Sequence, residues 1–245
     1  MAKCEEFKAK FKQHFGYEWN PAKFRWYHYS NILVKHFWKY FECWWNPQRF
    51  NWNRASHNLA RFCSEHFDVW WDPQKFNWEK SSSLVIYCKQ HFTKWWSPQK
   101  FKWYKASHLL PKYCAKYFDE WWNSQKFNWQ KGSHLLAQYC SKHFDKWWDS
   151  SRFNWDRSDS LARYCTKYFL KWWDPSKYNW FHTEALVRHC IDYIRIWWNP
   201  SRFCYTHRIE ILFKHCRSHK HIWLPDLVKL KIDSYDLEFL RTTVQ

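Results

Sequence analysis

Glycine is almost missing from this chain: two of its 245 residues are glycine, where average usage of about 7% predicts roughly 17. This scarcity argues against glycine-rich loops that cradle nucleotides and against short strands joined by tight turns. The chain also lacks any run of about 18 apolar residues, which a membrane span requires. The first residues, MAKCEEFKAKFKQHF, lack the apolar core of a secretory signal. We therefore expect a cytoplasmic or nuclear protein that is not secreted and not bound to membranes.

Acidic residues are also scarce relative to basic ones. The chain has 40 Lys and Arg against 22 Asp and Glu, a formal net charge of +18. Such an excess favours a polyanionic partner, because the summed charge attracts counter-charged molecules. Aromatic residues make up 24% of the chain, so it is not a disordered polyelectrolyte.

A tryptophan-rich string recurs along the chain, for example WWNPQRFNW and WWDPQKFNW, and it defines eight repeats of 25 or 26 residues. A fixed period of this size indicates a helical array. We predict an all-α solenoid of eight helical-hairpin repeats over residues 19–223, with an N-terminal capping helix in residues 1–18 and a C-terminal cap in residues 224–245. Repeats 1 to 8 begin at Trp19, Trp45, Trp71, Trp96, Trp122, Trp148, Trp173 and Trp198.

Helix-start signals predict two helices in each repeat. The second position is always Asn, Asp or Ser, and proline follows it in six repeats, which favours a short helix that includes a Phe-x-Trp pair such as Phe127 and Trp129. A longer amphipathic helix is then expected to continue to Trp148 in repeat 5, with apolar residues from Leu136 onward at helical spacing. Its predicted N-caps are Ser56, Ser107, Ser133 and Asp159.

Most tryptophans and phenylalanines fall on this apolar stripe, so we interpret them as core rather than as stacking platforms for bases. Seven cysteines share one position, and equivalent positions on stacked helices lie about 8–10 Å apart, too far for a disulfide. We expect buried free thiols. Four repeats contain Cys-x-x-His, but Tyr replaces the His in three others, so we expect no metal site. No catalytic arrangement or cofactor motif stands out, and we expect no enzyme activity and no cofactor.

Basic residues recur at two positions of the repeat, and we predict that they contact a phosphate backbone. Position five is Lys23, Arg49, Lys75, Lys100, Lys126, Arg152, Lys177 and Arg202. Position ten is His28, Arg54, Lys80, Lys105, Lys131, Arg157, His182 and His207. A third basic position follows in six repeats, at Lys35, Arg61, Lys112, Arg163, Arg188 and Lys214. Solubility alone could account for one such series, but three series of one sign favour an anionic ligand.

Position nine varies beside these cations. Asn, Gln, Glu and Asp side chains read base edges and aromatic side chains stack on bases, so the residues at this position are base-reading candidates. An equally good interpretation is that the position is exposed and varies freely. The residues are Tyr27, Asn53, Glu79, Tyr104, Gln130, Asp156, Phe181 and Thr206.

The layout resembles that of TAL-effector repeats. Those repeats also begin with a cap-Pro-polar helix, carry variable residues between two helices, follow them with Lys, and continue into a longer helix. The segment LLPKYCAKYF, residues 109–118, resembles the second-helix sequence of that family. The resemblance implies a superhelix around duplex DNA with one base read per repeat.

The sequence therefore predicts a monomeric protein that binds nucleic acid, with DNA and RNA both open. The phosphate backbone would be held by positions five and ten, with possible readout of one base per repeat at position nine. The alternative is a protein-interaction scaffold that binds an acidic partner or belongs to a large assembly.

Overall fold

The computed structural model describes residues 2–203 and 209–229, and within them the secondary structure is entirely helical. The predicted all-α helical-repeat solenoid is confirmed. The chain divides into two compact units, Met1–Asn128 and Trp129–Gln245. Across the described ranges, no helix combines the length and the apolar character needed to cross a membrane.

Unit 1 contains an N-terminal helix, Ala2–Phe15, followed by the short helices of the first four repeats. Its other α-helices are Trp26–Phe37, Phe41–Trp44, Trp52–Phe62, Phe67–Trp70, Ser82–Tyr87, Phe92–Trp95, Trp103–Ala106, Leu110–Cys114 and Phe118–Trp121. Its 3-10 helices are Trp38–Tyr40, Ser64–His66, Trp78–Lys80, Lys89–His91, Ser107–Leu109 and Ala115–Tyr117.

Unit 2 repeats the same succession. Its α-helices are Trp129–Tyr139, Phe144–Trp147, Asp159–Tyr164, Phe169–Trp172, Thr183–His189, Ile194–Trp197, Ile209–His215 and Lys220–Lys229. Its 3-10 helices are Ser141–His143, Trp155–Arg157, Thr166–Tyr168, Trp180–His182, Ile191–Tyr193 and Arg217–His219.

Each repeat begins with a single capped turn rather than the predicted short helix. In repeat 2 the Asn46 carboxamide oxygen accepts hydrogen bonds from the backbone N–H of Gln48 (3.2 Å) and Arg49 (3.1 Å), and the turn closes at Phe50. The cap was predicted correctly, but the helix does not continue through the Phe-x-Trp pair. A helix that we name helix A begins instead at Trp52.

The predicted long second helix is also wrong, because it breaks at the cysteine. Helix A ends at Phe62, Cys63 leaves helical geometry at φ −123° and ψ 29°, and a second helical segment, named helix B, runs from residue 64 to Trp70. The Cys63 carbonyl accepts from the His66 N–H at 3.0 Å and from the Trp70 indole N–H at 2.8 Å. The indole thus supplies a donor to a carbonyl at the break. All eight repeats contain the corresponding indole bond.

The serines predicted as N-caps of the longer helix have a different role. Ser56, Ser107 and Ser133 are fully buried inside helix A or its 3-10 continuation. The Ser56 hydroxyl accepts from the backbone N–H of Asn77 in the next repeat at 3.1 Å. Asp159 does begin an α-helix. These serines therefore join consecutive repeats instead of starting a helix.

The asparagine of the Phe-Asn-Trp string completes this junction. Asn77 Nδ2 donates to the Asn53 carbonyl of the preceding repeat at 2.8 Å, while Asn77 Oδ1 accepts from the Glu79 N–H at 3.1 Å. One side chain thus caps its own helix A and holds the preceding repeat. Asn51, Asn128, Asn154 and Asn179 make the corresponding donation to the preceding repeat.

Replacing Asn77 by alanine is expected to lower the free energy of unfolding by about 1–2 kcal/mol, because a cap and an inter-repeat bond are lost together. Lys102 provides the matched control, since it occupies the asparagine position in repeat 4 and forms an exposed ion pair with Glu79. Its alanine variant should cost less than about 1 kcal/mol. Urea unfolding followed by circular dichroism compares the two, and equal losses would contradict the role given to Asn77.

Aromatic rings fill the space between repeats, as the sequence analysis predicted. The first tryptophan of each pair, from Trp44 to Trp197, is at most 2% exposed, and so is Trp223 at the corresponding position of repeat 8. The Phe67 ring of repeat 2 lies nearly parallel to two rings of repeat 3, those of Trp71 (5.1 Å, 19°) and His91 (4.4 Å, 6°). Tyr117 stacks on Phe92 in the same way at 4.4 Å and 11°. A flat ring satisfies this contact, which explains why His and Tyr interchange after the cysteine.

The seven cysteines at the shared position are buried and free, as predicted: Cys63, Cys88, Cys114, Cys140, Cys165, Cys190 and Cys216. Burial raises the pKa of each thiol to about 12. A disulfide lies outside this series and was not predicted. It joins Cys4 in the N-terminal helix to Cys43 at the end of repeat 1.

The two ends differ in how far they match the predicted caps. Phe7 and Phe11 of the N-terminal helix are buried and contact Trp19 at 5.2 Å and 4.8 Å between ring centroids, so this helix covers the first repeat. The helix Lys220–Lys229 extends across the boundary predicted between residues 223 and 224. Residues 230–245 of the predicted C-terminal cap lie outside the described residues.

Candidate nucleic-acid interface

Position-five cations contact the preceding repeat. The Arg49 guanidinium donates to the carbonyls of Pro21 (3.0 Å) and Ala22 (3.1 Å), and the Lys100 ammonium donates to the Pro73 carbonyl at 2.9 Å. Arg202 makes the same contact with Pro175. A cation at this position therefore supports the cap turn of the preceding repeat even without a ligand.

Position-five cations also lie over tryptophan rings of the preceding repeat. Lys75 is 5.8 Å from the Trp52 ring centroid, and Lys126 and Lys177 lie 5.8 Å from Trp103 and Trp155. Cation–π attraction of this kind contributes about 0.5–1 kcal/mol at exposed sites. Lys23 belongs to repeat 1, so it has no preceding repeat to contact, and Arg152 pairs with Asp149 at 3.5 Å.

Position nine lies in the first turn of helix A, not between two helices as predicted. Its aromatic members project into solvent: Tyr27, Tyr104 and Phe181 are 72%, 77% and 75% exposed. Asn53 Oδ1 accepts from Asn77 Nδ2 at 2.9 Å, so that side chain already has a partner.

The acidic and remaining members of position nine differ among themselves. Glu79 pairs with Lys102 and Lys105 of the next repeat, both at 2.8 Å, and these hydrogen bonds lower the pKa of Glu79 to about 2. Gln130 and Asp156 are exposed. Thr206, like His207 of position ten, lies outside the described residues.

Position-ten cations and the third basic series approach one another along the helices A. In unit 1, His57 of repeat 2 lies near Lys35 of repeat 1 and Lys80 of repeat 3. Burial, then repulsion from Lys80 and Lys35, lowers the pKa of His57, so the ring is neutral at pH 7. The His57 Nδ1 atom is buried and has no hydrogen-bond partner among the described residues. The helices A of repeats 1, 2 and 3 pack against one another, and we use the name A-helix groove for the side chains of Lys35, Arg54, His57, Arg61 and Lys80 on these helical segments.

Unit 2 has a groove at the corresponding place. Among the residues that line it are His134 of repeat 5, Arg157 and Arg163 of repeat 6, and His182 of repeat 7. The structure thus brings position ten together with the third series, whereas position five contacts the cap turns. The sequence predicted that positions five and ten contact the same phosphate backbone. Spacing alone did not show that position five contacts the cap turn of the preceding repeat while position ten lies beside the third series.

The face of helix B carries charges of both signs. Lys94 pairs with Asp68 of the preceding repeat at 2.6 Å, and Lys171 pairs with Asp145 at 2.5 Å. Both pairs are exposed and join consecutive repeats. Lys94 and Lys171 therefore have acidic partners, unlike Lys35, Arg54, Arg61 and Lys80.

The groove histidine and the junction asparagine are residues that sequence reasoning missed. His57, His108 and His134 follow the buried serine in three repeats, and the asparagine precedes the helix A tryptophan in five. Their recurrence was the available signal. Nothing in the spacing indicated that one asparagine serves two repeats.

No protein-family model, curated protein or solved structure matches this chain. The likeness in layout to TAL-effector repeats therefore remains a prediction from the sequence.

Proposed function

We propose that this protein binds nucleic acid through the A-helix groove. The observation that carries this proposal is a set of exposed cations, on helices A that pack against one another, without acidic partners. Lys35, Arg54, Arg61 and Lys80 are exposed, and none forms an ion pair with a carboxylate anywhere in residues 2–203 and 209–229. Such cations repel one another unless an anion lies between them, and a phosphate backbone supplies anions at regular spacing.

The helices A of unit 1 reinforce this charge pattern. The helices Trp26–Phe37 and Trp52–Phe62 contain no Asp or Glu, and neither do the helical segments of repeat 4 from Trp103 to Cys114. Glu79 of repeat 3 is held by two lysines. In this proposal position ten and the third series bind phosphates, while position-five cations add positive potential beside them.

The exposed aromatic rings at position nine give the proposed ligand a second kind of contact. Tyr27, Tyr104 and Phe181 can each stack on an unpaired base, which contributes about 1–3 kcal/mol per base in single-strand binding. Asn53 and Glu79 are engaged in bonds between repeats, which leaves Gln130 and Asp156 as the polar candidates for reading base edges. Single-stranded DNA and RNA are therefore the first ligands to test.

Binding to a labelled oligonucleotide of mixed sequence is expected to weaken steeply with salt, because each phosphate contact releases a counterion. For about four contacts on a single strand, the slope of log K against log salt should be near −3. Fluorescence anisotropy between about 50 and 200 mM salt measures it, with single-stranded DNA, single-stranded RNA and duplex DNA as separate probes. Polyglutamate of equal charge is the control. Tighter binding to polyglutamate than to every nucleic acid would favour the acidic-protein partner instead.

A further inference from the structure

The third basic series has different partners in repeats 1, 2 and 4 than in repeats 6 and 7. In unit 1, Lys35, Arg61 and Lys112 form no ion pair with a carboxylate in the part of the chain that the structure describes. Arg61 lies over the rings of Phe62 (5.0 Å) and Tyr87 (5.8 Å), and Lys112 over Tyr113 (5.4 Å). Aromatic contacts leave the charge uncompensated, so these cations remain available to an anion.

The same series is neutralised in repeats 6 and 7. Arg163 pairs with Asp159 at 3.2 Å, and Arg188 pairs with Glu184 at 2.6 Å, each one helical turn away. These acids occupy the position that holds His57 in repeat 2, directly after the buried Ser158 and Thr183. Where an acid stands in the place of histidine, the cation four residues later forms an ion pair within its own helix. In repeats 2 and 4, where histidine stands there, that cation lacks an acidic partner among the described residues.

We infer that the nucleic-acid footprint lies on the A-helix groove of unit 1 and does not include the groove of repeats 6 and 7, where Asp159 and Glu184 compensate Arg163 and Arg188. This inference rests on the proposed function and specifies which part of the repeat array carries it. The residue after the buried serine determines whether a repeat binds phosphate. Asn31, His57 and His108 leave the cation four residues later available, whereas Asp159 and Glu184 pair with it.

The physical reason is a competition for the same guanidinium. A phosphate that approaches Arg163 or Arg188 must displace a carboxylate already bound at hydrogen-bond distance, and it is also repelled by that carboxylate. At Arg61 a phosphate displaces no carboxylate, because Arg61 forms no ion pair with one in the part of the chain that the structure describes. The negative charge of the phosphate favours protonation of His57, so binding on unit 1 should also take up a proton as the pH falls toward 6.

Two double variants test the inference with a labelled single-stranded oligonucleotide of about 20 nucleotides. Lys35→Gln/Arg61→Gln removes two phosphate contacts in unit 1, and we expect about tenfold weaker binding and a salt slope that is smaller by about 1.4. Asp159→Asn/Glu184→Gln releases two arginines in unit 2, and we expect tighter binding and a slope that is larger by a similar amount. All four positions are on the surface or partly exposed, and circular dichroism checks that each variant is folded.

The outcomes separate this inference from the proposed function. Unchanged affinity and slope in the unit 1 variant would overturn the inference, and so would the absence of any gain in the unit 2 variant. A wild-type protein that binds none of the oligonucleotides at about 50 mM salt would instead overturn the proposed function itself.

Discussion

Replacing Trp147 by alanine is expected to lower the free energy of unfolding by about 3–5 kcal/mol, the usual cost of deleting a fully buried tryptophan. The side chain is 1% exposed, its ring meets Phe144 edge-on at 5.0 Å, and its indole donates to the Cys140 carbonyl at 2.9 Å. Urea unfolding followed by far-UV circular dichroism measures the loss. A loss below about 1 kcal/mol would show that helix B does not depend on this side chain.

The phenylalanine variant at the same position isolates the hydrogen bond. Trp147→Phe keeps an aromatic ring but removes the donor from the break in the helix, and we expect a loss of about 1–3 kcal/mol. Trp155→Phe is the matched control, because its indole also donates to a backbone carbonyl, that of Ser150 at 2.9 Å, but at an exposed site. Water can replace that donor, so the control should cost less than the Trp147→Phe variant.

Reducing the Cys4–Cys43 disulfide is expected to lower the stability of the N-terminal cap and repeat 1 by about 4 kcal/mol. The two cysteines are 39 residues apart, and the entropy of closing a loop of that length in the unfolded chain gives this magnitude. The measurement compares urea unfolding with and without dithiothreitol. The Cys4→Ser variant should match the reduced protein and should not respond to the reductant. A response of that variant would place the redox-sensitive bond elsewhere.

The repeat period and the fold class could be predicted from the sequence, because the repetition is visible without knowing where each helix begins or ends. Eight strings that each begin with a tryptophan predicted eight helical repeats, and the apolar stripe predicted which rings form the core. The Asn46 type of cap was also predicted correctly, because an Asx cap is made within a few residues of its own position. Local hydrogen bonds of this kind can be predicted from a short stretch of sequence, without knowing which residues of other repeats lie nearby.

The predicted helix boundaries were wrong wherever a side chain forms a hydrogen bond to another repeat or to a distant carbonyl. A serine before an apolar stripe can cap its own helix, and sequence alone gave no reason to assign the Ser56 hydroxyl to Asn77 of the next repeat. At the break, the Cys63 carbonyl accepts from an indole seven residues further along the chain. The basic positions were found as series, and the i,i+4 spacing of Asp159 to Arg163 and of Glu184 to Arg188 was an available signal that two of these cations are neutralised.

The buried cysteines give this chain a set of built-in reporters of local opening. Alkylation requires a thiolate, and a buried thiol with a pKa near 12 supplies almost none at neutral pH. The labelling rate of each cysteine therefore measures how often its own repeat opens. The cysteine occupies the same buried position in seven successive repeats. Since each repeat is stabilised mainly by its neighbours, labelling rates should rise toward the ends of the array. The rates along the chain would then measure stability repeat by repeat without any introduced probe.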